Sequence, residues 1–474
     1  MDKKTIAAKT DLNCFGQIDV ALTGTINAYL KPFAENGICS GCIMVIQNGH
    51  AIVRTSFSFP ENAPKKLKPD TQFQIGSLTK QFTATAIMII QAQTQTLEPA
   101  QRLTVQDPVS KWIPDYPSGD EITIEHLLRH TSGIPNGTDL PPEQDAPTKT
   151  LDELIDRFKD RPLTFTPGSH FEYSNSGYIL LTKIIEIASG LDYDSYLQKN
   201  IFETLGMTNT GVINYTKPNL ATGYILLEEQ RVPAGQQSEN YSGAASLVST
   251  IDDLYKWDQT LCQIRSNTSY QGIISQESLE EMYTPGQKPI WGVTPQEPSQ
   301  YGYGYWIIAS TNQVMHTGRV PGFCSMITRD LAQNRTIIIL INNYDSFFMF
   351  EDIKNIVSGK KGRPLVLPEE ETDLTADRIA QYDRHLGKYK IETVKERYVS
   401  ISREGTSYYA QFTGTPKFRI RPEKGSTTKF FRKNTVYQLE AIVDKTRKTT
   451  GLECLTYHEL SPKVQEDASA PYEK

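Results

Sequence analysis

Three short stretches hold residues whose types and spacing could do chemistry. Ser77 and Lys80 stand three apart in FQIGSLTKQFTATAIMII (residues 73–90), Tyr173 and Asn175 frame a serine in FEYSNSGY, and His316-Thr317-Gly318 lies in QVMHTGRVPGF. A serine hydroxyl is a poor nucleophile until a base removes its proton. Positions i and i+3 share one face of a helix, so a helix starting near Ser77 projects Lys80 beside it. Beyond Lys80 come Phe82, Ala84, Ala86, Ile87, Met88, Ile89 and Ile90, apolar nearly all round. Burial and the positive end of a helix both disfavour an ammonium, so a lysine placed there becomes a neutral, basic amine. The unpaired N–H groups of the same helix start suit a developing oxyanion.

Alone, S-x-x-K says little, because it recurs at Ser358/Lys361 and Ser426/Lys429, in segments that read as linker and β-structure. Tyr173-Ser174-Asn175 is the one Y-x-N in the chain. A tyrosine can relay a proton between serine, lysine and leaving group, and an asparagine amide can hold a substrate carbonyl. The plainer alternative is a loop in which Ser174 or Asn175 caps the next helix. In H-T-G, a glycine inside a strand often marks the close approach of another backbone. A peptide-like substrate could add to that edge, with Thr317 and His316 on its polar end. The plainer alternative there is a bulged core strand with a solvated histidine. The three motifs in this order carry more than any one of them.

The elements that must position these residues follow from the pattern. An amphipathic helix is expected over about 13–34, then a hairpin in CIMVIQNGHAIVRTSFSF turning at Asn48-Gly49. Residues 100–215 read as short helices and loops, with ITIEHLLRHTSGIP and SGYILLTKIIEIASG the clearest helical segments, the second stopping at Gly190. GYGYWIIAS, QVMHTGRVPGFCSMITRD and RTIIILINN read as three antiparallel strands, closed by the helix SFFMFEDIKNIVSG. The expected class is therefore α+β: an antiparallel sheet built from both ends of the domain, flanked by helices, with an all-helical subdomain between. Residues 359–378 read as a linker, dividing a domain at 1–358 from a β-rich unit at 379–474 whose short alternating runs suggest a small barrel or sandwich.

Bulk properties narrow the function. A formal net charge of -6 argues against a nucleic-acid partner, and no apolar run reaches transmembrane length. The N-terminal MDKKTIAAKTDLNCFG has a basic start without an apolar core, unlike a secretory signal, which leaves the compartment open. Cys39 and Cys42 form a C-S-G-C with no second pair at zinc-like spacing, so buried thiols are expected ahead of a disulfide or redox pair. His126 and His130, spaced i, i+4 on an expected helix, offer a metal-site alternative. Glu125 precedes that pair instead of falling between its members as in H-E-x-x-H, and no metal is expected.

With these motifs the chain resembles the serine β-lactamase and penicillin-binding-protein superfamily, within it the class C β-lactamase-like branch of D-Ala-D-Ala carboxypeptidases, D-peptidases and esterases. FQIGSLTKQFTA, ITIEHLLRHTSGIP, PGSHFEYSNSGYILL, GAASLVSTIDDLYKW, YGYGYW and HTGRVPGF carry the resemblance, over roughly residues 25–355. It implies Ser77 as the acylated nucleophile, Lys80 as its proton partner and Tyr173 as acid/base relay. Asn175, His316, Thr317, Gly318 and Arg319 would meet the substrate, with the backbone N–H groups of Ser77 and Arg319 as oxyanion hole. Many β-lactamases carry K-T-G where this chain has H-T-G, a form more like D-peptidases and esterases; Arg319 is the candidate for the missing charge. The C-terminal unit is similar to lipocalin-like domains appended in this branch. The resemblance implies a small-molecule or peptide substrate, no cofactor and an acyl-enzyme, with a D-amino-acid peptide or related amide the first choice. A β-lactamase, an esterase, and a ligand-occupied sensor with negligible turnover are the alternatives; oligomeric state is left open.

Overall fold

Asn48 and Gly49 both take positive φ (51° and 81°) between strands Gly41–Gln47 and His50–Phe57, the backbone that an Asn-Gly hairpin loop favours. The computed structural model that shows this describes residues 16–60, 66–138, 148–214, 219–227, 229–236, 238–266, 272–287, 299–390, 398–413, 415–446, 448–454 and 459–462. The N-terminal stretch weighed above as a signal lies outside the described residues, apart from its last glycine.

The hairpin joins a seven-stranded antiparallel sheet ordered His50–Phe57, Gly41–Gln47, Arg335–Ile341, Phe323–Asp330, Gln313–Val320, Trp306–Ile308, Gln300–Tyr301. Gly41 pairs with Ile341 and Gln47 with Arg335, so segments almost three hundred residues apart lie side by side in its interior. Both of these interior strands are buried on both faces, which is why they read as continuous apolar runs. The segment 313–330, expected as one strand, is two. It folds back at Pro321-Gly322, where Val320 pairs with Phe323 and Gly322 has φ +82°. Pro-Gly is a turn signal in its own right, passed over because Val320 and Phe323 continue the apolar run on either side of it.

Helix Ile251–Ser266 packs on these two strands, and Val20–Glu35 packs on the hairpin and on helix Phe348–Val357, with Phe33 and Phe348 ring centroids 5.6 Å apart. The helical segment between these β parts holds Thr79–Thr94 against Asn175–Ser189. The latter ends at Gly190 in the left-handed region (φ 70°), as expected. ITIEHLLRHTSGIP is a correction: only Ile124–Leu128 is helical, and His130 stands beyond it with φ 57°. The helix closes by two bonds, His130 N–H to Leu127 O (3.4 Å) and Thr131 N–H to His126 O (2.9 Å), the pattern of a Schellman stop. His126 and His130 are therefore not stacked on one helical face, and His126 Nδ1 accepts the N–H of Thr123 (3.2 Å).

The chain divides into two compact units, one of residues 1–35, 39–225 and 233–362, the other of 36–38, 226–232 and 363–474. The second is an antiparallel meander of eight strands from Gly387–Lys390 to Glu459–Pro462, its first and last strands adjacent, so that it forms a nearly closed barrel. Tyr382, Tyr389, Tyr408 and Phe430 fill its core. The α+β class with an appended β-barrel is thus the observed architecture. Cys39 and Cys42 are buried free thiols: Cys42 sits in the sheet, and Cys39 lies 3.1 Å from Met349 Sδ.

Candidate active site

Between Thr71 and Ile90 every residue is buried except Ser77, which keeps partial access to solvent. Ser77 lies on a single 3₁₀ turn, Gly76–Leu78, that runs directly into helix Thr79–Thr94. Gly76 opens that turn with φ +52°, and a Cβ there would stand 2.6 Å from the backbone nitrogen of Arg319. Gly318 makes the reciprocal demand, since its Cβ would fall 2.0 Å from Ile75 O. Two glycines therefore let the H-T-G strand and the Ser77 turn press together, with the Arg319 backbone nitrogen against Gly76.

Lys80 is wholly buried, and its Nζ meets three oxygens: Asn175 Oδ1 at 2.8 Å, Ala244 O at 2.9 Å and Ser77 Oγ at 3.1 Å. Burial holds its pKa well below the usual lysine value. A neutral amine has two N–H groups and one lone pair. Asn175 Oδ1 and Ala244 O can only accept, so in the neutral form they take both hydrogens and the lone pair faces the Ser77 hydroxyl, whereas in the ammonium form the third N–H is donated to Ser77 Oγ. The Asn175 amide is oriented by its own nitrogen, which donates to Thr138 Oγ1 (2.8 Å), while its backbone N–H donates to Asn136 Oδ1 (3.1 Å). Ala244 O is held by a loop tied to both helices: Gly243 N–H donates to Thr182 Oγ1 (3.0 Å) and Thr83 Oγ1 donates to Gly243 O (2.7 Å).

Tyr173 leads into helix Asn175–Ser189, with Ser174 at the N-cap. Its phenol shares a side-chain hydrogen bond with Ser77, and burial pushes its pKa above that of a free phenol, so it stays protonated near neutrality. Lys80 Nζ stands 4.8 Å from the ring centroid. His316 is buried, with Nδ1 2.6 Å from Thr317 O and Nε2 2.8 Å from Tyr301 Oη. A carbonyl only accepts, so Nδ1 carries the proton and Tyr301 donates to Nε2. Burial first, and Lys80 whenever it carries its proton, push the imidazole pKa down to about 3, and the ring presents no cation. Thr317 keeps partial access to solvent. The Arg319 side chain is exposed and engaged: Nε donates to Tyr344 O (3.1 Å), a terminal nitrogen meets Asp345 Oδ1 (3.0 Å), and the guanidinium lies 3.6 Å from the Tyr344 ring centroid.

Serine, amine, phenol and the backbone of the H-T-G strand thus stand together in one site. The family model described as Beta-lactamase matches residues 26–359. The chain belongs to the beta-lactamase family. Its fold is that of the beta-lactamase and penicillin-binding-protein superfamily of serine hydrolases. It is 28% identical over 442 residues to penicillin-binding protein 4* of Bacillus subtilis, covering 88% of this chain and 92% of that one. It is 30% identical over 363 residues to the putative penicillin-binding protein PbpX of the same organism, covering 74% of this chain and 82% of that one. Among solved structures it resembles the octameric penicillin-binding protein homologue from Pyrococcus abyssi (TM-score 0.61, 24% identity, 94% of this chain, 100% of that one). D-amino acid amidase from Ochrobactrum anthropi SV3, complexed with D-phenylalanine, shares the fold at TM-score 0.59 and 22% identity over 72% of this chain and 97% of that one.

The structure brings Ser77, Lys80, Tyr173, Asn175 and the 317–319 backbone together. Sequence reasoning missed Asn136, Thr138, Ala244, Tyr301 and the Asp345 partner of Arg319. Ala244 contributes a carbonyl, which any residue type would supply, so no side-chain pattern marks it. Asn136 and Thr138 lie in the turn-rich GIPNGT stretch, a signal for a loop without a signal for its target.

Proposed function

We propose that this beta-lactamase family member is a hydrolase that acts through a covalent acyl-enzyme on Ser77, most directly on a D-amino-acid peptide or related amide. The neutral Lys80 amine takes the hydroxyl proton as Oγ attacks the substrate carbonyl. The Ser77 and Arg319 N–H groups receive the oxyanion, and Tyr173 passes the proton to the departing amine. Water then releases the acyl group by the reverse proton path. The observation that carries this reading is the Lys80 Nζ environment, with two acceptor-only oxygens that leave its lone pair to Ser77. The amide preference is supported by the likeness to the D-amino acid amidase fold, and by a neutral His316 and a paired Arg319, neither of which offers a free cation to a substrate carboxylate.

The test is time-resolved intact mass with benzylpenicillin and with D-phenylalanine amide, beside Ser77→Ala, while product is assayed in the same samples. Turnover of the amide with a transient adduct, both lost in Ser77→Ala, is the expected result. Rapid penicillin hydrolysis dependent on Ser77 would reassign the chain as a β-lactamase. An adduct that persists without product would make it a sensor, and a serine-independent reaction would remove the proposal.

A further inference from the structure

His130 plays no part in the proton path above, yet it is fully buried beside it. It occupies the left-handed stop of helix Ile124–Leu128, a position where glycine is the cheap residue. What the side chain does there is specific. Its ring lies 4.2 Å, centroid to centroid, from the Tyr173 ring, and Nδ1 accepts the backbone N–H of Ser174 (3.2 Å). Its backbone carbonyl accepts the N–H of Glu172 (2.9 Å). Three consecutive residues, 172, 173 and 174, therefore rest on this one histidine. Because Nδ1 accepts, the ring proton is on Nε2, which has no hydrogen-bond partner among the described residues and lies in a ring of Phe171, Tyr178 and Tyr301. A neutral ring suits this place, since an imidazolium would face Lys80 and stand among the neutral groups Tyr173, Tyr178, Tyr301 and His316.

We propose that His130 is a positioning residue that clamps the Glu172-Tyr173-Ser174 segment and so holds the Tyr173 phenol on Ser77. The role rests on the acyl-enzyme reading of Ser77. A displacement of about 1 Å at such a group costs on the order of a hundred-fold in rate, so the clamp is felt in kcat and little in KM.

Two substitutions separate its parts. His130→Phe keeps a ring and removes the Nδ1 acceptor; His130→Asn tolerates the left-handed backbone and keeps an acceptor while losing the ring. Acylation is read from the p-nitrophenol burst with p-nitrophenyl acetate, with intact mass confirming the adduct. Each variant is expected to lose at least ten-fold in acylation rate with KM changed less than about three-fold. In a Tyr173→Phe background the same changes should cost under about two-fold, because a residue acting through Tyr173 has nothing left to position. Equal losses in both backgrounds, or no loss in either, overturn the role. Hydrogen exchange of the Ser174 amide reads the clamp without catalysis: His130→Phe should speed it at least ten-fold and His130→Asn should not, and unchanged exchange in both variants also overturns it. A wild type that forms no Ser77-dependent adduct would remove the acyl-enzyme reading and the catalytic role with it, while the exchange result still decides whether the clamp exists.

Discussion

A lysine whose pKa is lowered by burial inside the fold ties both rate and stability to pH. Lys80 has its pKa held well below the usual 10.5 by burial, so between the two values the unfolded chain binds a proton that the folded chain does not. Stability conferred by the neutral form therefore rises with pH across that window and is lost as pH falls through it. Lys80→Met removes the term, together with a constant contribution from three hydrogen bonds. The stability of wild type relative to Lys80→Met should climb with pH, by up to about 1.4 kcal/mol per unit, when both are unfolded with urea between pH 7 and 9.5. A difference that stays flat would mean that Lys80 titrates like a free lysine. Under the acyl-enzyme reading, kcat/KM should likewise rise with pH and level off well below 10.5. His316 does not set the acid limb above about pH 4, since its ring stays neutral until about pH 3. At the rim, Asp345 neutralises Arg319. Asp345→Asn should free that guanidinium and lower KM for a substrate with a terminal carboxylate several-fold, leaving KM for D-phenylalanine amide within about two-fold; a single exposed pair contributes up to about 1 kcal/mol. Equal change for both substrates would sink the idea that this pair sets the charge preference.

At the scale of elements, the site is a contact between one strand and one turn. Gly318→Ala would place a methyl 2.0 Å from Ile75 O and 2.4 Å from Ser325 Oγ, backbone and a buried side chain that cannot step aside. The Gln313–Val320 strand must move off the Ser77 turn, separating the two amides, and loss of one such donor costs about 10²–10³ in kcat. Activity down by that factor in a variant that still folds is the expected outcome, and near-wild-type turnover would show that the two amides do not share an oxyanion. This contact explains what the sequence could and could not reveal. Ser77, Lys80, Tyr173 and Asn175 were legible because each is a polar residue in an apolar run or ahead of one, and Asn48-Gly49 because its turn chemistry is unambiguous. The turn at Pro321-Gly322 carried its own Pro-Gly signal, which was outweighed by the apolar residues that flank it on both sides. The end of helix Ile124–Leu128 was hidden for a different reason: its stop is a histidine in a conformation usually given to glycine.

At the scale of the whole chain, each unit has a hydrophobic core of its own. Ile87 is fully buried in the core that surrounds the Lys80 helix, and Leu439 is 1% exposed in the barrel core with Tyr382, Tyr389, Tyr408 and Phe430. The barrel interior is filled by these side chains, so burial there acts as packing in the way a small barrel requires. Cores without shared members should melt as separate cooperative steps. Truncating a buried leucine or isoleucine costs about 2–5 kcal/mol, which for a unit of this size lowers its transition by on the order of 10 °C. In calorimetry, Leu439→Ala should shift one transition and leave the other in place, Ile87→Ala should do the converse, and only the second should speed thermal loss of hydrolysis. Hydrolysis at 25 °C should survive Leu439→Ala. If both substitutions instead moved a single shared transition, the two units would unfold as one cooperative body, and the barrel would have to be counted among the elements that hold Ser77 and Lys80 in place.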